Sequence, residues 1–286
     1  MRGQYLAEGV LACFRCHSER DWSQDGAPVL AGVKGAGHRF DKEDIANLTA
    51  PNITPDRQTG AGLWTDDMLA RSIREGIGHD GRALHPQMWS ASFSKLPDED
   101  VAAIVVYLRS IPAIRNPLPR TRLTLAQRFR FNVLPEPITD AVPEPSFASP
   151  KDRGEFLEFV ADCAGCHTDW YHPGSAVNGQ LFGGGNLIAT PTGEKIFSPN
   201  LTPDPSGISY YDEKMFMQVI RTGKVGARKL HAVMPWAFYR NMSDEDLRAL
   251  FAWLRAQTPV KHLVDNSEPP TYCRLCFQKH GGGDRN

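Results

Sequence analysis

Two copies of Cys-x-x-Cys-His constrain this chain more than any other feature: Cys13, Cys16 and His17 in "ACFRCHSER", and Cys163, Cys166 and His167 in "ADCAGCHTDW". On a helix, residues three and four apart share a face, so the three side chains of each copy can serve one bound object. Two thiols and an imidazole in this order are what covalent haem attachment needs. Two thioether bonds grip the macrocycle edge, and the histidine supplies an axial iron ligand. One copy alone would also suit a zinc half-site or a redox-active Cys-x-x-Cys. The second copy, 150 positions on, makes two covalently bound haem c groups the expectation.

The halves match beyond the cysteines. "GQYL" from Gly3 answers "GEFL" from Gly154, and "PNITPD" from Pro51 answers "PNLTPD" from Pro199. "IREGIGHDGRALHPQMW" answers "IRTGKVGARKLHAVMPW", and "LPDEDVAAIVVYLRS" answers "MSDEDLRALFAWLRA". The last pair reads as a helix in each half. Acidic residues sit in the first turn, Ser243 is placed to cap with Asp246 behind it, and Arg109 and Arg255 lie near the far ends. Val101, Ile104, Val105 and Leu108, like Leu247, Leu250, Phe251 and Leu254, recur as one apolar stripe. Gly3 and Gly154 are expected where a first helix crosses this last one closely, with Tyr5 near Tyr107 or Leu108 and Phe156 near Trp253 or Leu254. Alternatively they are simple chain entries. Strand signals are nearly absent, so the expected fold is all-α: two small units, each packed around its own haem.

The second axial ligand separates an electron carrier from an enzyme, because a catalytic haem keeps one position available to substrate. Met88 and Met234 stand at matching places, each three residues after a histidine and ahead of the final helix. Thioether sulfur is a soft ligand that raises the haem potential. Met68 and Met215 also correspond, but lie in amphipathic stretches where methionine fills cores. His85 and His231 correspond as well and would close bis-histidine sites. His38, His79, His172 and His262 have no counterpart and read as surface residues; Met217 and Met242 read as packing. Asn52 and Asn200 suit a turn held by side-chain bonds, or donation to haem propionates.

The boundaries follow: residues 1–112 and 151–260 for the two haem units, a Pro-rich linker at 113–150, and a tail at 261–286. Within the linker, "TRLTLAQRFRF" reads as a short basic helix; Arg115, Arg120, Arg122, Arg128 and Arg130 would face propionates, a partner protein or solvent. The tail holds Cys273 and Cys276, but Phe277 stands where a ligand histidine would be, which argues against a third haem. A disulfide is favoured for this pair over a metal clip with His280. Charged residues make up 23% of the 286 and the net charge is −1, which gives no reason to expect nucleic-acid binding. No run is long enough to span a membrane. Bacterial c-type haem is attached outside the cytoplasm, so the expected location is periplasmic, with an export signal removed or missed.

The stretch "NITPDRQTGAGLWTDDMLARSIREGIGHDGRALHPQMW … LPDEDVAAIVVYLRS" resembles the repeating unit of the cytochrome c subunits of bacterial alcohol, aldehyde and gluconate dehydrogenases, across both halves. The resemblance implies two tandem class I cytochrome c-like domains. It implies haem attachment at Cys13, Cys16, Cys163 and Cys166, proximal ligation by His17 and His167, and distal ligation by Met88 and Met234. It further implies single-electron relay from a dehydrogenase subunit to quinone or a terminal oxidase, with no bond chemistry. Such subunits commonly have three units, and this chain has room for two. The competing expectation is a dihaem peroxidase with one open iron, which the retention of a methionine in both halves disfavours. A thiolate-ligated haem oxidising sulfur compounds would need a distal cysteine, and only the tail pair is spare.

Overall fold

The computed structural model describes residues 1–40, 48–125 and 135–281. Most of the expected basic helix, including Arg128 and Arg130, lies outside them. The chain divides into two compact units: Met1–Ser23 with Ala27–Ser146, and Gln24–Gly26 with Phe147 onward. Both are helix-rich, with short antiparallel ladders the sequence does not announce: β1 (His38–Arg39) with β2 (Thr49–Ala50), β3 (Leu187–Ala189) with β4 (Lys195–Phe197), β5 (Lys224–Val225) with β6 (Arg228–Lys229), and β7 (Thr271–Tyr272) with β8 (Lys279–His280).

In the first unit, α1 (Arg2–Tyr5) runs on into a wider π-turn over Leu6–Val10, closed by Leu11 N–H donating to the Leu6 carbonyl. Then come α2 (Asp66–Arg74), α3 (Ser90–Phe93) and α4 (Asp98–Ser110). The second unit has α5 (Pro150–Ala161), α6 (Cys163–His167), α7 (Glu213–Thr222), α8 (Trp236–Tyr239) and α9 (Asp244–Arg255). Ser243 caps α9 by accepting the Asp246 N–H, and the anticipated stripes of α4 and α9 are buried. Thr65 and Asp212 cap α2 and α7 on the N–H groups of Met68 and Met215. Met68 is 36% exposed and does not fill the core.

The first and last helices of each unit cross at their glycines. A Cβ on Gly3 would collide with the carbonyl of Ala103, and one on Gly154 with the carbonyl of Ala249 and with Trp253. Tyr107 meets Phe14 edge-on and bonds Glu8, and Phe156 packs on Phe147. Each crossing is locked by an ion pair preceding the glycine. Arg2 reaches buried Asp100 at 2.7 and 2.8 Å, and Arg153 reaches buried Asp246 at 2.5 Å. Replacing Gly154 by alanine is expected to cost the second unit about 2–4 kcal/mol, because backbone has no rotamer by which to yield. Urea unfolding followed in that unit measures it; a loss below about 0.5 kcal/mol would mean the helices do not approach this closely.

The segment after α4 does not run free. Ile114 exchanges hydrogen bonds with Thr54, Asn116 N–H donates to Thr59, and Thr121 bonds the backbone of Thr49 in both directions. This extended stretch is the outer wall of the loop that positions the first histidine.

Candidate haem sites

Each Cys-x-x-Cys-His is launched by a left-handed residue, Ala12 (φ 46°) and Asp162 (φ 54°). A non-glycine residue holds this conformation only where its surroundings impose it, and here it turns the chain from the first helix into a single helical turn. That turn puts two cysteines and the histidine on one face. His17 N–H bonds the Cys13 carbonyl at 3.0 Å, and α6 spans Cys163–His167. None of the four is in a disulfide. Burial pushes the Cys13 thiol up to about 12; Cys163 is also raised well above its ordinary value, by burial and then by the charges of Glu158 and Asp162. A redox-active Cys-x-x-Cys lowers a thiol pKa instead, so the alternative of a thioredoxin-like pair loses ground.

Both histidines are buried, and Nδ1 meets a proline carbonyl: Pro51 at 2.8 Å for His17, and Pro199 at 2.9 Å for His167. A carbonyl only accepts, so Nδ1 carries the proton and Nε2 is the nitrogen with a lone pair to give. Burial holds each imidazole below its ordinary pKa, with the carbonyl acting in the opposite direction. The neutral, Nδ1-protonated ring is the ligating form.

Those carbonyls are held by a buried clasp repeated in both units. Asn52 Oδ1 accepts the Thr54 N–H at 2.9 Å and its hydroxyl at 2.7 Å, while Nδ2 donates to the Ile114 carbonyl at 2.7 Å and to Thr59. Asn200 does the same with Thr202, at 2.8 Å for both, and its Nδ2 reaches the Val260 carbonyl at 2.7 Å and the His262 carbonyl at 3.1 Å. Both amide donors of each asparagine are thereby used within the protein. The asparagine side chains therefore hold the turn, as one of the two expectations had it. Sequence reading missed Pro51 and Pro199, although the repeated "PN-x-TPD" was signal enough to mark the loop.

On the other side of each motif, a glycine ends the second helix, with Gly76 and Gly223 both at φ 66°. A tight return follows, in which Leu84 and Leu230 donate back to those glycine carbonyls at 2.7 Å. It delivers His85 and His231, whose Nδ1 atoms accept the N–H of Gln87 and Val233. His231 Nε2 also meets Glu194 at 3.0 Å, so both its nitrogens are committed. These histidines shape the turns carrying Met88 and Met234, whose N–H groups donate to the His85 and His231 carbonyls. Each turn is tied to its motif. The Arg15 guanidinium, between the two cysteines, lies 4.5 Å from the ring centre of Trp89, next to Met88. Tyr239, just after Met234, donates to the Ala161 carbonyl at the end of α5 at 3.0 Å.

One expected surface histidine is misplaced: His262 is fully buried beneath the loop at Gly183–Gly185. The tail cysteines are not joined, contrary to the favoured disulfide.

Paired thiols outside any disulfide, a buried imidazole poised at Nε2 and a methionine-bearing turn, each present twice, fit covalently attached haem c, as c-type cytochromes hold it. The chain is similar to the fructose dehydrogenase cytochrome subunit of Gluconobacter japonicus, 34% identical over an alignment 275 positions long that covers 91% of this chain and 52% of that one. It is similar to the cytochrome c subunit of the quinone alcohol dehydrogenase of Gluconobacter oxydans, 24% identical over 99% of this chain and 60% of that one. A diheme cytochrome c-type of Cereibacter sphaeroides is 27% identical over 85% of this chain and 81% of its own length. The chain thus spans about half to two thirds of the dehydrogenase subunits it resembles end to end. No family model matches it.

Proposed function

We propose that the chain is a periplasmic dihaem electron-transfer protein, built of two tandem class I cytochrome c-like domains, that accepts single electrons from a dehydrogenase subunit and passes them to quinone or a terminal oxidase. The observation that carries this is the two-fold repetition of the proximal arrangement: His17 on Pro51 and His167 on Pro199, each pinned by its asparagine clasp. Haem iron, when bound, supplies a one-electron couple. Cys13 and Cys16 would hold one macrocycle and Cys163 and Cys166 the other, with His17 and His167 as proximal ligands. Met88 and Met234 would close the opposite faces. The commitment of His231 to Glu194 and Val233 supports methionine over histidine in the second unit.

A low reorganisation cost suits single-electron transfer, and this chain's residues favour it by burial and by backbone anchoring of both imidazoles. No step needs a substrate at iron. Among the described residues, no helix is long and apolar enough to cross a membrane. The names of the relatives support a dehydrogenase as donor.

The matured protein is expected to take up two electrons per chain in a reductive titration and to show no peroxide turnover. One electron per chain, or peroxide turnover with a high-spin signal in one half, would contradict the carrier and favour the peroxidase.

A further inference from the structure

Four side chains at the end of the second unit converge without any part in the haem sites. His262, Cys273, Cys276 and His280 each bring one ligand atom into a group whose members all lie within 4.8 Å of one another. We propose that they form a mononuclear Cys2His2 zinc site that staples the C-terminal tail to the loop beneath the second proximal histidine.

The two imidazole Nε2 atoms there have no hydrogen-bond partner. His262 is fully buried, His280 is 9% exposed, and Nε2 of each is a buried nitrogen without a hydrogen-bond partner. Leaving two such nitrogens unsatisfied is costly, and a metal satisfies both. The His262 tautomer suits the task. Its Nδ1 meets the Gly183 carbonyl at 2.8 Å and must donate, which aims an unprotonated Nε2 the other way. The ring planes of His262 and His280 lie 81° apart, so their nitrogens approach a common point from different directions.

The cysteines sit on the tip of a hairpin that β7 and β8 close through Thr271 and His280. Phe277 N–H bonds the Cys273 carbonyl at 3.0 Å, and Cys273 N–H bonds the Gln278 carbonyl at 2.8 Å. Phe277 itself is left-handed, at φ 61°. That strained corner, in a residue other than glycine, folds the Cys-x-x-Cys so that both sulfurs share one side. The two sulfurs are unbonded, and Cys276 packs against Val177 and Val260 with no exposure.

The donor set selects the ion. Zinc takes two sulfurs at about 2.3 Å and two nitrogens at about 2.0–2.1 Å in a tetrahedron, which places neighbouring ligand atoms about 3.3–3.8 Å apart. Small side-chain adjustments bring the present cluster to that geometry, and no cluster of two irons fits between atoms so close. Loading releases one proton from each thiol. Two thiolates then balance the dication, so the buried site is neutral.

The site also reaches the second haem loop. Gly183 holds His262, and the next residue, Gly184, donates its N–H to the His167 carbonyl at 2.8 Å. A Cβ on Gly185 would press 2.7 Å from the His262 ring. Zinc would therefore fix the loop on which His167 rests.

The test is metal analysis of the full matured chain, purified without added chelator. One zinc per chain, with two sulfur and two nitrogen neighbours by X-ray absorption at the zinc edge, is expected. Two further thiols should become alkylatable after chelator treatment. Cys273→Ser, at a half-buried position, and His280→Ala should each reduce zinc at least tenfold while haem content stays at two. Freshly purified protein without zinc, with Cys273 and Cys276 joined as a disulfide by mass spectrometry, would overturn the proposal. So would a stoichiometric extra iron in place of zinc. Haem content reports separately on the electron-transfer reading, so failure of either is distinguishable.

Discussion

Replacing Met234 by alanine is expected to convert one haem of the pair from low to high spin and to lower its potential by on the order of 100 mV or more, within the roughly 0.8 V that axial ligands command. The red sulfur-to-iron charge-transfer band should fall by half, since under the proposed ligation Met88 would still serve the other iron. The turn itself should survive, because its hydrogen bonds run through the backbone of His231, Val233 and Met234 and the ring of His231. His231→Ala gives the complementary result. It leaves the sulfur in place but removes the ring that accepts the Val233 N–H and donates to Glu194. The band should weaken and broaden without a fall to half. An unchanged spectrum in Met234→Ala would assign the distal position to another residue.

The second large effect is expected at the clasp. Asn200→Leu should destabilise the second unit by about 3–5 kcal/mol, because it leaves the Val260 carbonyl and the Thr202 N–H and hydroxyl buried without their partner. Asn52→Leu should act in the same direction on the first unit, where the Thr54 N–H loses its acceptor and the Ile114 carbonyl keeps only the longer bond from the Thr54 hydroxyl. Each variant should also disturb only its own haem, since the clasp holds the loop whose proline carbonyl orients the proximal ring. Denaturant unfolding combined with spectra of both haems measures the two effects together. A loss below about 1 kcal/mol would mean that water satisfies these groups and the clasp is not sealed.

The repeat is why so much was legible. Cys13, Cys163, His17 and His167 announce themselves by type and spacing, and Gly3 and Gly154 by their matched place ahead of the motifs. The crossing helices followed from periodicity and from acidic first turns. What escaped had two physical causes. The partners of His17 and His167 are backbone carbonyls, which residue type does not reveal, so Pro51 and Pro199 read only as turn residues. The partner of Asn52 is Ile114, 62 positions on and past α4, so a contact made by the fold looked like local turn chemistry. The ion pairs Arg2–Asp100 and Arg153–Asp246 were within reach, since they occupy matching places in the two halves. His262 failed for a similar reason. Without a counterpart in the first half it read as surface, yet the Gly183–Gly185 loop and His280 close over it, a long-range contact that its own position does not reveal.

The central claim is that two irons are each closed by an imidazole nitrogen and a thioether sulfur. Quantifying the red charge-transfer band per haem in the oxidised, fully matured protein, beside electron paramagnetic resonance of the same sample, tests it most directly. The account predicts two low-spin haems per chain, both contributing to the band. A band worth one haem, with a high-spin or bis-imidazole signal from the other, would contradict it.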